Sequence, residues 1–156
     1  MTVRFQRIHP AAVLPRYAHP GDAGMDVCAC EEALLAPGAY ALVRTGLVVE
    51  LPPDTEAQVR PRSGLALKHG VTLLNAPGTI DAGFRGEVGV ILVNHGSAPF
   101  RVTPGMRIAQ LVVAPVVRAT VEDVPSVSAT ARGTGGFGST GVNAKAKRAK
   151  GRVVKS

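Results

Sequence analysis

Hydrophobic and polar positions along this chain rarely repeat with the period of a helix. Short runs rich in Val, Leu and Thr recur instead between Gly and Pro punctuation. Such runs predict strands near residues 3–8, 25–29, 40–43, 47–51, 56–60, 71–74, 88–94, 100–102, 107–116 and 119–124. One segment differs: residues 63–69 predict a short helix, with Ser63 near its start and Gly70 ending it. Many short strands with regular turns predict an all-β chain, a jelly-roll-like barrel or sandwich with one short helix.

The run from Val88 to Val93 is apolar on both alternating faces. A surface strand of a monomer shows one wet face. This one is therefore either central between two layers or covered on its second face by another subunit, and the pattern favours neither. After Pro125 the texture changes. Gly133, Gly135, Gly136, Gly138 and Gly141 fall within nine residues, and glycine loses the most backbone entropy on ordering. The expected organisation is a β domain over 1–125, a flexible Gly-rich C-terminal arm over 126–142, and a disordered tail over 143–156.

Composition sharpens this picture in one respect. The 156-residue chain carries a formal charge of +7, which by itself suggests a polyanionic partner. Six of those charges are Lys145, Lys147, Arg148, Lys150, Arg152 and Lys155 in the tail. Before residue 143 there are 12 basic and 11 acidic groups, and every basic one except Lys68 is Arg. Arg offers a planar fork suited to phosphate oxygens, whereas tail lysines usually solvate a mobile segment. Nucleic-acid contact by the tail is thus the weaker reading, and a solvated terminus the favoured one. No apolar run reaches the roughly 20 residues that span a bilayer. Cys28 and Cys30 have no metal-ligand companions and read as reduced structural thiols of a cytoplasmic protein.

Four places combine polar groups with permissive glycines. Asp22 to Asp26 puts acids at a strand entrance, suited to a hydrated divalent cation or to a capped turn. Arg62, Ser63 and Gly64 make a phosphate-binding turn or a solvated helix start. Residues 75–86 read as a long hairpin: Asn75 offers a donor and an acceptor, and Asp81 lies near Phe84. A carboxylate partly desolvated beside an aromatic suits a general base that activates water, while the bland alternative is a turn cap. Arg132 with Phe137 suits a lid, because the phosphate-loop ending Lys-Ser/Thr is absent.

In order and spacing, these segments resemble the homotrimeric dUTPases, which carry five motifs. Ala23 to Asp26, Pro61 to Ala66, Asn75 to Gly86, Gly105 to Leu111 and Arg132 to Gly141 are similar to the five in turn. The resemblance spans roughly residues 3–141 and implies a β jelly roll with active sites between three subunits. The second and fourth motifs would come from one chain, the third from a neighbour, and the arm from the remaining chain. The implied reaction is Mg²⁺-dependent hydrolysis of dUTP to dUMP and pyrophosphate. In that scheme Asp81 orients and deprotonates the attacking water. Asn75, the main chain near Gly78, Thr79 and Ile80, and the backbone of Gly89 line the uracil pocket. Arg62, Ser63, Gly64 and Gln110 hold phosphates. Arg132 reaches the γ-phosphate, Phe137 with Gly138 and Ser139 covers the base, and Asp26 touches the metal through water.

The family commonly has Tyr where Phe84 stands, so the resemblance implies a sugar contact without the phenolic hydrogen bond. The homologous dCTP deaminases share the fold, but they use a catalytic Glu where this chain has Ile91.

Overall fold

The computed structural model describes residues 1–140, and these fall into two units, Met1–Arg118 and the segment that begins at Ala119. In the first unit ten strands and one helix follow in the order β1 (Arg4–Arg7), β2 (Met25–Cys28), β3 (Ala33–Leu35), β4 (Tyr40–Glu50), β5 (Thr55–Arg60), α1 (Ser63–His69), β6 (Val71–Leu73), β7 (Gly78–Asp81), β8 (Glu87–Asn94), β9 (Phe100–Val102) and β10 (Arg107–Pro115). They form one four-stranded sheet ordered β1-β4-β8-β6, a second ordered β2-β10-β5-β7, and the small pair β3-β9.

Alternation explains the core. Val43, Leu47, Val49, Val90 and Leu92 of the first sheet pack with Val27, Ala57, Val59 and Leu111 of the second. Each fully buried Val or Leu contributes about 1.5–3 kcal/mol, enough for a chain without Trp to build a core from aliphatics. The apolar strand β8 is central, between β4 and β6. Its second face is nevertheless apolar as well. Leu42 and Tyr40 of β4 stand opposite Ile91 and Val93, and both stay more than half exposed.

Four sequence expectations change. Strands 40–43 and 47–51 are one strand, β4, whose pairing with β8 slips between Arg44 and Val48. Gly46 supplies the bulge at φ 68°, and a Cβ there would come within 2.6 Å of the His9 side chain. The freed polar groups are taken up by Glu87, which accepts from the Gly46 amide at 2.8 Å and from Arg44 Nε at 3.0 Å. Strand β3 is new, only three residues paired with β9. The expected hairpin 75–86 contains strand β7, which leaves the first sheet and pairs with β5 in the second. Residues 119–124 form no strand, and Val121 is exposed.

Helix α1 matches its expected span and ends at Gly70 in the left-handed region, φ 67°. Cys28 and Cys30 are free and buried, and burial pushes both thiols above their ordinary value. Among the described residues no helix is long and apolar enough to cross a membrane. The last residues of the expected arm and the whole tail 143–156 lie outside the described residues.

Candidate active site

Three strands and the start of α1 build one polar cluster. Strand β10 pairs with β2 on one side and β5 on the other, which sets Gln110 opposite both Asp26 and Arg60. Arg62 follows β5 directly and occupies the position before the first turn of α1. The side chain of Asp26 is only 9% exposed. Its Oδ1 accepts from Nη1 of Arg62, and its Oδ2 accepts from Nη1 of Arg107 at 3.1 Å. Gly24 lies beneath Gln110, where a Cβ would meet the glutamine side chain at 3.3 Å. Ser63 and Gly64 are exposed at the helix start, and nothing lies within 4 Å of a Cβ built on Gly64.

A second cluster forms around β7. Burial alternates along it, with Gly78 and Ile80 inward and Thr79 and Asp81 outward. A pocket of about 170 Å³ is lined by Thr79, Ile80, Asp81, Phe84, Glu87, Val88 and Gly89. The Phe84 ring folds over Gly86, where a Cβ would meet it at 2.6 Å. The Asn75 amide nitrogen sits 3.2 Å from where a Cβ on Gly78 would stand, so the two are neighbours at the turn entering β7. Leu42 closes over Gly89 from the outer side of the sheet. Asp81 is exposed in the single chain, not partly desolvated as the hairpin reading had it. The reason is the strand register: Asp81 ends β7 and points away from the core face that Ile80 occupies.

The structure thus gathers Asp26, Arg62 and Gln110 in one place, and Asn75, Gly78, Thr79, Ile80, Asp81, Phe84 and Gly89 in another. Strand β5 separates them, so β10 and β7 stand two strands apart, about 10 Å. Two members were not singled out from the sequence. Arg107 sits in an ordinary strand-entry position, and only the β2 pairing reveals its reach to Asp26. Glu87 opens β8 with no motif to mark it, and only the bulge at Gly46 explains its place at the pocket wall.

The second unit carries the other expected residues. Arg132 Nε donates to the Gly135 carbonyl at 2.8 Å, and the Ser139 amide donates to the Gly136 carbonyl at 3.0 Å. Phe137 has a positive φ of 45° and a fully exposed ring, with Gly138 following at φ 84°.

Among the described residues no three His, Cys, Asp or Glu side chains are grouped as a metal cage. The donor chemistry near the arginines is a single carboxylate. That fits a cation ligated mostly by substrate phosphates and water better than one caged by protein.

Fold and site together define a jelly-roll-like β domain with an arginine-rich cradle and a separate aromatic-walled pocket. The dUTPase family model matches residues 11–141. The deoxyuridine 5'-triphosphate nucleotidohydrolase of Gloeothece citriformis is 57% identical over 142 residues, covering 91% of this chain and 98% of that one. Its counterpart in Clostridium tetani is 56% identical over 140 residues, covering 90% and 97%. The solved structure of Staphylococcus bacteriophage 80alpha dUTPase with dUPNHPP superposes with a TM-score of 0.85 at 27% identity, covering 90% of this chain and 99% of that one. The chain belongs to the dUTPase family.

Proposed function

We propose that this enzyme hydrolyses dUTP to dUMP and pyrophosphate, with Mg²⁺ on the triphosphate. The observation that carries the reading is the outward face of β7, which sets Asp81 on the wall of a pocket beside Phe84 and Gly89. Asp81 takes a proton from water as the water oxygen bonds to the α-phosphorus. The bond from that phosphorus to the bridging oxygen breaks, and pyrophosphate leaves with the electron pair. Phosphoryl transfer rests on positioning and charge neutralisation, which Arg62, Ser63, Gly64 and Gln110 supply along the phosphates. Asn75 and the main chain from Gly78 to Ile80 read the uracil edge, and the backbone of Gly89 lines the same pocket. When bound, the metal adds charge neutralisation on the phosphate oxygens, and Asp26 faces it through water.

The assembly belongs to the same proposal. Tyr40, Leu42 and Leu74 are each more than half exposed, and Leu42 and Tyr40 stand beside Ile91 and Val93 on one face of the first sheet. Covering that face with another copy explains its composition and supports a homotrimer with sites between subunits. Within it the arm closes over a site of another chain, bringing Arg132 to the γ-phosphate and Phe137, Gly138 and Ser139 to the base. Asp81, exposed in the single chain, would be desolvated there. The product would supply thymidylate synthesis and keep uracil out of DNA, in the cytoplasm.

The test is pyrophosphate release from dUTP, dCTP, dTTP and UTP, in wild type and Asp81→Asn. The expected result is rapid release from dUTP alone, reduced at least a hundredfold in the variant. Comparable turnover of all four nucleotides, or full activity in the variant, overturns the reading.

A further inference from the structure

We infer that Asp26 is a positioning residue, whose one buried carboxylate fixes Arg62 and Arg107 as a pair of guanidiniums for the triphosphate. The inference rests on the proposed dUTP reaction and goes beyond a water-mediated metal contact. It begins from how the two arginines are held. Arg62 arrives from the start of α1 and Arg107 from the start of β10, segments far apart in sequence. One oxygen of Asp26 accepts from each. The carboxylate is 9% exposed, Arg62 is 23% exposed and Arg107 is 58% exposed, so the pair opens progressively toward solvent.

The charge count gives the trio its purpose. Two guanidiniums and one carboxylate sum to +1, and each guanidinium has five N–H donors. Among the described residues Arg62 and Arg107 spend side-chain donors only on Asp26. A net positive group with unspent forked donors is built to receive an anion. Two free arginines would repel each other and sample many rotamers, whereas a shared carboxylate removes both obstacles before the ligand arrives. Gln110, opposite Asp26 across the β2–β10 pairing, extends the same face.

Charge and positioning predict opposite signs, which makes the idea testable. Replacing Asp26 by Asn removes a negative charge, so by electrostatics alone a triphosphate would bind more tightly. If Asp26 acts by positioning, the triphosphate binds more weakly. The experiment is calorimetric titration of the full-length protein with the α,β-imido analogue of dUTP in EDTA, so that no metal contact contributes. Wild type, Asp26→Asn, Arg107→Gln and the double variant are compared, with dUMP as a control ligand. The expected result is an affinity loss of about tenfold for the analogue in each single variant, a much smaller loss for dUMP, and a double variant whose loss falls short of the product of the two single losses. With Mg²⁺ present, kcat for dUTP falls in the same variants.

Unchanged or tighter analogue binding by Asp26→Asn in EDTA overturns the inference, as does strict additivity in the double variant. If Asp26→Asn does not fold, Arg107→Gln decides: undiminished analogue affinity there overturns it equally. If wild type neither binds the analogue nor releases pyrophosphate from dUTP, the proposed function itself fails. A wild type that does both leaves only the role of Asp26 at stake.

Discussion

Phe84 is where one atom separates this chain from the pattern it resembles. Its ring packs on Gly86 and walls the pocket that holds Asp81. A ring placed by packing can exclude a 2′-hydroxyl by shape without a phenolic oxygen. We therefore expect Phe84→Tyr to change the ratio of kcat/KM for dUTP over UTP by less than tenfold, under about 1.4 kcal/mol. A larger change in steady-state measurements would show that the hydroxyl carries sugar discrimination. That Asp81 and Phe84 share one pocket was legible because they lie three apart in a Gly-rich segment, whereas the exposure of Asp81 in the single chain depends on the register of β7 and was not. The shared use of Asp26 was not, because nothing in the spacing of residues 26, 62 and 107 announces a three-way contact.

Among elements, α1 is short and carries no buried residue, so its placement depends on its ends. At the C-terminal end Gly70 meets Gly96 backbone to backbone. A Cβ on Gly96 would stand 2.2 Å from the His69 carbonyl oxygen, while Asn94 ties the same turn through Leu35, Ala98 and Gly96. At the other end Gly64 has open space around it. Gly96→Ala should cost about 1–3 kcal/mol in urea unfolding, because backbone must move. Gly64→Ala should leave stability unchanged or slightly raised, since Ala favours helix, yet lower turnover of dUTP because the methyl group intrudes on the phosphates. Loss of stability in Gly64→Ala would place that glycine's role in folding instead. Strands with four or more alternating residues, such as β5 and β10, were legible in the sequence. Strand β3 was too short to show a period, and β7 hid behind its glycine and aspartate. The Val-rich stretch 119–124 has a strand's composition, but composition supplies no partner to pair with.

For the whole molecule, the basic charge separates from the site. The arginines that the proposal assigns to the triphosphate, Arg62, Arg107 and Arg132, all precede residue 141, whereas the lysine-rich segment follows it. A chain ending at Ala131 should therefore lose dUTP turnover while light scattering still reports a trimer, since the apolar face of Tyr40, Leu42 and Leu74 is untouched. A monomeric product would show that the removed segment holds the assembly together. The detour of β7 into the second sheet has a wider meaning. In the proposed function, residues 75–89 carry the nucleoside-facing groups of the first unit as one continuous stretch, while the anion cradle is assembled from β2, the residue before α1, and β10. Preference among bases can thus drift by rewriting a single cassette, with the triphosphate machinery inherited intact.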